Sequence, residues 1–308
     1  MAAVTVPQIT AKLASQCPVL STARVAVKSR AMVACIIRPG PQPLDPAEML
    51  LIRRAAREGD PWSGQTAFPG GRCDVDDGGC DFTTVCREVR EELGVDLTNE
   101  ERYRYLGRVR DMETFKSRKV NMVIGCFVYE QLIPEPFTLA LDEVAACGWL
   151  PLTAIACAGQ KDVKEVKWSV PKDTSMYRYL HLLGLTDLTL PSLVVSLRDA
   201  TKVRSDVDVD HLPLWGMTLC FSEMLTMEPS AGLSPYRCLP LVGYRIPHIF
   251  NSVFHDMLYT LYVATWRKDL TLHGSDVVIG YLPFLHCLCG GAAVAGAGLG
   301  YLTLRSRL

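Results

Sequence analysis

Charge is what this chain has little of. Asp and Glu number 33 and Lys and Arg 32, together only 21% of the 308 residues, for a formal charge of −1. That balance excludes the basic face that nucleic-acid binding needs, so no nucleic acid is expected as a partner, and it excludes an acidic tail. Hydrophobic residues make up 49% and the mean hydropathy is +0.15, which excludes intrinsic disorder and leans towards contact with a membrane. The 12 cysteines contain no CxxC pair. Cys73, Cys80 and Cys86 lie near one another without a histidine to complete a zinc site, so the cysteines read as reduced, structural thiols. Two stretches lack charge more completely. Residues 1–44 have no Asp or Glu, and residues 277–304 have no Asp, Glu, Lys or Arg at all.

What is present reads as alternating strands and helices. Apolar Ala31–Ile37 predicts a strand, and Met49–Ile52 a second, reached through the turn-forming run Pro39-Gly40-Pro41-Gln42-Pro43. Phe82, Val85, Val89 and Leu93 follow helical spacing and predict a helix over 81–93, with Gly94 at its stop. Strands are expected at Tyr105–Val109, Asn121–Tyr129 and Val144–Leu150, a charged surface loop at Arg198–Asp210, and a helix at Trp215–Leu225. Mixed order of this kind predicts an α/β fold.

The predicted helix 81–93 carries Glu88, Glu91 and Glu92 at i, i+3 and i+4, so their carboxylates share one face. Arg87 can reach Glu91 at i+4. Glu91 and Glu92 fall in the last turn, where the helix dipole disfavours anions; a local rule broken this way marks a candidate functional site. Clustered carboxylates raise one another's pKa unless a cation neutralises them, and hard oxygen ligands suit Mg²⁺ or Mn²⁺. Gly70 and Gly71, just upstream, let the backbone approach a metal or a diphosphate closely. On spacing alone, a solvated Glu-rich helix face explains the same residues.

The string Arg87-Glu88-Val89-Arg90-Glu91-Glu92-Leu93-Gly94-Val95 resembles the REUxEExGU half of the Nudix hydrolase signature (U apolar) at every specified position, and Pro69-Gly70-Gly71 supplies the preceding glycine. Asp142-Glu143-Val144 and Trp149-Leu150-Pro151-Leu152 resemble the strand that closes many Nudix domains. The resemblance implies an α/β/α sandwich with a mixed sheet. One position departs. Where the signature has a Glu six residues after the glycine and eight before the Arg, Asp77 stands here, ten before Arg87. In the family that acid braces the arginine, so geometry is in question more than chemistry.

A narrower resemblance points to the coenzyme A diphosphatase branch. Gly64-Gln65-Thr66-Ala67-Phe68-Pro69-Gly70-Gly71, followed by Asp74 and Asp77, is similar to its GQxAFPGGxxDxxD segment. Leu51-Ile52-Arg53-Arg54, Gly59-Asp60-Pro61-Trp62-Ser63 and Leu214-Trp215-Gly216-Met217-Thr218 resemble further stretches of that branch. The implied reaction is hydrolysis of a diphosphate bond in CoA or acyl-CoA, giving 3′,5′-ADP and a phosphopantetheine. The implied metal ligands are Glu88 and Glu92, with Glu91 holding a further metal or accepting the water's proton and Gly71 offering its carbonyl. Arg87 is structural; Arg53, Arg54 and Gly70 are the candidates for substrate. The alternatives are another nucleoside-diphosphate derivative, or a membrane-anchored binding module that keeps the fold without catalysis.

The expected organisation is a Nudix domain over 27–228, a helical extension over 229–276 and a transmembrane segment over 277–304. That last run is long enough to span a bilayer, and Gly296 and Gly300 give it a small-xxx-small spacing, although Pro283 and six glycines weaken it. A buried helix is the alternative. The ending Ser306-Arg307-Leu308 resembles a peroxisomal address, whereas basic, acid-free 1–44 reads either as a mitochondrial presequence or as a short helix before the first strand.

Overall fold

A computed structural model describes residues 4–226 except 16–17, 19, 21, 23–24, 43–44, 59, 61, 117–118, 159–161 and 170–186. The expected helical extension, the expected membrane segment and the C-terminal tripeptide lie outside the described residues. Among those described, no helix is long and apolar enough to cross a membrane.

Helix α1 (Val6–Ser15) is the first element among the described residues and buries Val6, Ile9 and Leu13. Strands β1 (Arg30–Arg38), β2 (Glu48–Arg54), β3 (Thr66–Ala67) and β4 (Gly70–Arg72) precede helix α2 (Asp81–Leu93). After it come β5 (Tyr103–Arg108), β6 (Met112–Lys116), β7 (Lys119–Gln131), β8 (Val144–Pro151) and the short helix α3 (Thr153–Ala156). Strands β9 (Val163–Ser169), β10 (Asp187–Val195), β11 (Arg198–Lys202) and β12 (Leu212–Trp215) lead to helix α4 (Gly216–Thr226).

Among the described residues, nine strands form one mixed sheet in the order β11-β8-β2-β1-β7-β5, with β3 on β2, β4 on β1 and β6 on β7. β1 and β7 run parallel, from Arg30↔Val123 to Ile37↔Glu130; the remaining pairs are antiparallel. β12, β10 and β9 form a second, antiparallel sheet.

The central strands are buried on both faces, which is why β1 reads as an almost unbroken apolar run. Its period of two splits that run. Met32, Ala34 and Ile36 join Val85, Val89 and Leu93 of α2, whereas Ala31, Cys35 and Ile37 join α1, α3, α4 and the small sheet. Val85, Val89 and Leu93 are fully buried, about 1.5–3 kcal/mol each by transfer scales. Helices and the small sheet thus enclose the large sheet from either side, the Nudix-type α/β arrangement expected.

The helix expected over 81–93 has those bounds, and Gly94 ends it at φ 72°, its N–H bonding the Arg90 carbonyl. The surface loop expected at Arg198–Asp210 is corrected at its start. Arg198–Lys202 is an edge strand pairing with β8, Arg198 opposite Trp149. An edge strand leaves side chains in water, so charge there does not oppose strand pairing. Trp215 ends β12 rather than beginning the helix, and Gly216, at φ 61°, makes the turn between them.

Candidate active site

Helix α2 lies against β1 and β4, and this places its acids beside the two glycines. Glu92, only 1% exposed, accepts a 2.8 Å hydrogen bond from the Gly70 N–H. Gly70 has φ 141°, and a β-carbon there would come within 2.2 Å of the Met32 carbonyl oxygen, so only glycine lets β4 close on β1. A β-carbon on Gly71 would stand 2.3 Å from Oε2 of Glu88. The missing side chain is where that carboxylate sits.

Arg87 uses all five of its donors. Nε and Nη2 fork onto Asp77 at 2.7 and 3.0 Å, and Nη2 also reaches the Arg72 carbonyl. Nη1 meets Glu88 at 3.0 Å and Glu91 at 2.9 Å. Asp77 is buried and takes two more bonds, from the Asp74 N–H and the Thr84 hydroxyl. The Arg87 guanidinium first, with those other donors, holds its carboxyl well below the usual carboxylate range. Asp77 therefore braces the arginine. The two additional loop residues, in a loop that contains Gly78 and Gly79 at positive φ, bring the shorter acid within reach.

The acids of α2 differ in surroundings. Burial pushes Glu92 up to about 8, against the Gly70 N–H and the charge of Arg54, with Glu88 and Glu143 adding to the rise. Burial also raises Glu88; Arg87 opposes it, and Glu91 and Glu143 reinforce it. Glu91 is about half exposed on the Arg87 side. Glu143 lies within electrostatic range of Glu88 and Glu92, and the sequence carries no signal for it beyond its place in the Asp142-Glu143-Val144 likeness. It lies in the loop that closes the end of α2, where the Ala140 N–H bonds the Glu92 carbonyl and the Thr138 N–H bonds that of Leu93. Arg57 pairs with Glu143 at 3.3 Å.

The two candidate substrate arginines part company. Arg53 Nη1 donates to the Asp208 carbonyl at 2.5 Å. Arg54 reaches Asp60 at 3.3 Å, lies within electrostatic range of Glu92, and keeps a buried Nε without a partner among the described residues.

Among the described residues no three His, Cys, Asp or Glu side chains are already gathered in ligating geometry. Mg²⁺ does not require such a cage, because it is commonly held by one or two carboxylates, waters and substrate phosphates. Glu88 and Glu92 fit that demand. Glu92 is buried and Glu88 partly buried beside Arg87, burial raises both above the ordinary carboxylate range, and both border a glycine cradle.

Residues 28–170 match the family model described as NUDIX domain. A protein of Schizosaccharomyces pombe, "Uncharacterized protein C14C4.10c", is 32% identical over 106 residues, 34% of this chain; the chain spans about a third of that relative's length, 32%. Among solved structures, a Caenorhabditis elegans Ap4A hydrolase binary complex is similar at TM-score 0.30 and 16% identity, over 40% of this chain and 80% of that one. The NUDIX domain of Shewanella oneidensis NrtR, complexed with ADP ribose, is similar at TM-score 0.30 and 19% identity, over 46% and 82%.

Proposed function

We propose that the Nudix domain this chain carries over residues 28–170 hydrolyses a diphosphate bond in a nucleoside-diphosphate derivative, with a divalent metal held by Glu88 and Glu92. The observation that carries this reading is that pair of acids, Glu92 buried against the Gly70 N–H and Glu88 partly buried against Gly71, both raised by burial. A bound Mg²⁺ or Mn²⁺ would neutralise the diphosphate and make a bound water more acidic. The chain's own residues supply the positioning on which phosphoryl chemistry depends. The Gly70 N–H orients the Glu92 carboxylate, and Arg87 fixes Glu88 and Glu91 relative to the loop. Glu91, half exposed and held from one side, is the candidate to accept the water's proton. The Nε of Arg54, without a partner among the described residues, suits a phosphate oxygen.

CoA or acyl-CoA is the substrate first in order, on the likeness of Gly64–Asp77 to the coenzyme A diphosphatase segment. A panel of CoA, acyl-CoA, ADP-ribose, dinucleoside polyphosphates and capped RNA, with Mg²⁺ or Mn²⁺ and products read by mass spectrometry, tests it. Release of 3′,5′-ADP from CoA is the expected result; preference for ADP-ribose or a cap analogue would reassign the substrate. Inactivity across the whole panel would favour a binding module. That rival leans on the absent Glu of the signature, whose bracing Asp77 performs.

Attachment to a membrane through 277–304, at a peroxisome-type organelle or a mitochondrion, is part of the same proposal. Resistance of the full chain to carbonate extraction, lost when 277–304 is deleted, is the outcome expected.

A further inference from the structure

We infer that Arg108, which lies outside the signature motifs, is a positioning residue for the acids of α2 and acts through Asp81. The inference rests on the metal-binding reading of Glu88 and Glu92.

Arg108 ends β5 with a side chain only 9% exposed. Its Nη1 donates to Oδ2 of Asp81, the first residue of α2, at 2.9 Å. Nε and Nη2 grip Oδ1 of Asp111 at 3.0 and 2.6 Å, and the guanidinium lies 4.9 Å from the centre of the Phe127 ring. The sheet makes room for it. A β-carbon on Gly125 of β7 would stand 2.3 Å from Nη2. Asp111 is fully buried and also accepts the Thr22 N–H. The other oxygen of Asp81 faces Arg30 Nη1 at 3.4 Å, and Arg30, at the start of β1, donates in turn to the carbonyls of Gly79 and Val25.

The start of α2 is therefore tied to β1 through Arg30 and to β5 and β7 through Arg108. β1 also carries β4, with Ala31 opposite Arg72, Met32 opposite Gly71 and Val33 opposite Gly70. One network thus sets both sides of the gap that the Glu92–Gly70 bond closes. Buried ion networks add little net stability relative to apolar packing. What this one supplies is geometry, because a helix transmits displacement as a rod. Glu88 is seven residues from Asp81, about 10 Å along the axis. The far end of α2 is held separately, by Thr138 and Ala140. Without Arg108 the start of α2 keeps only the longer Arg30 contact to Asp81, and any displacement there moves Glu88 more than Glu92.

Mn²⁺ binding by the full chain, followed through the EPR signal of free Mn²⁺, tests this without turnover. Arg108→Gln and Asp81→Asn should each weaken Mn²⁺ binding about tenfold, the scale at which outer supports of a metal site act. Arg108→Lys, which keeps the charge but cannot fork between Asp81 and Asp111, should fall between Arg108→Gln and wild type. Leu13→Ala is the comparison for stability alone, since Leu13 packs on Gly107 of the same strand; it should lower Tm and leave Mn²⁺ binding unchanged. If Arg108→Gln does not fold, Asp81→Asn, which preserves shape, decides. Wild-type binding retained by Asp81→Asn and by any folded Arg108→Gln would overturn the positioning role alone, as would a loss no greater than that of Leu13→Ala at equal Tm. Failure of wild type to bind Mn²⁺ would overturn the metal reading and this inference with it.

Discussion

Arg87 and Asp77 meet in a two-pronged pair, Nε to Oδ1 at 2.7 Å and Nη2 to Oδ2 at 3.0 Å, across ten residues of sequence. The pair joins the loop after β4 to the helix that carries the acids, so severing it should loosen both. Asp77→Ala should cost about 2 kcal/mol. That is below the roughly 3–5 kcal/mol typical of breaking a fully buried pair, because Arg87 remains 30% exposed. Urea unfolding measures it.

The same pair sets an acid dependence. Asp77 is held below its ordinary carboxylate range, mainly by Arg87. The unfolded chain therefore takes up that proton at higher pH than the native one, and stability falls as pH falls. The contribution is complete above the unfolded value near 3.8 and is lost below it. The stability difference between wild type and Asp77→Asn should be constant from pH 7 to about 5 and shrink towards pH 2. A difference that stayed constant throughout would mean that Asp77 is not ionised in the pair.

Glu92 has the opposite sign. Its folded value is raised to about 8 from 4.5, chiefly by burial. In EDTA-treated protein its share of stability is present below pH 4.5 and lost as pH rises through 8. Glu92→Gln, neutral at every pH, should remove that decline, making the EDTA-treated variant more stable than wild type at about pH 8.5. In the presence of Mg²⁺ the same variant should lose kcat far more than it raises KM. Thermal unfolding across pH, beside kinetics on the substrate identified by the panel, checks both halves.

Arg53 and Arg54 separate binding from support. Replacing Arg54 by Ala should raise KM roughly tenfold, the scale of one charge-assisted hydrogen bond, with kcat changed less. Arg53→Ala loses a bond to the Asp208 carbonyl and should leave KM close to wild type. Equal KM effects would contradict the division.

Part of this site is legible in the sequence. Val85, Val89 and Leu93 mark one buried stripe of α2, and the same spacing puts Glu88 and Glu92 on a common face. The Glu88–Gly71 and Glu92–Gly70 approaches depend on β4 pairing with β1, a three-residue strand with no periodicity to detect. Asp77 stands at the wrong spacing for its role, because linear spacing does not report how a loop with two left-handed glycines folds back. Arg108 and Asp81 are 27 residues apart and meet only where β5 passes the start of α2. β11 is hidden for a different reason. Its Arg198 and Lys202 are solvated at a sheet edge, and charge patterning alone cannot distinguish that from a loop.

Gly70 and Gly71 offer the sharpest separation of fold from site. A methyl group on Gly70 meets backbone 2.2 Å away at a φ of 141°, and neither the strand nor the angle can yield cheaply. Gly70→Ala should therefore lower Tm and expose the β1–β4 pairing to hydrogen exchange. The nearest atoms that a methyl group on Gly71 would meet belong to the carboxylate of Glu88, from 2.3 Å, and that side chain can swing aside. Gly71→Ala should keep most of the Tm while weakening Mn²⁺ binding and kcat together, since the displaced acid is one of the two proposed ligands. A Gly71→Ala protein that binds Mn²⁺ like wild type would show that Glu88 is not held where the metal sits, and would leave Glu92 alone to carry the site.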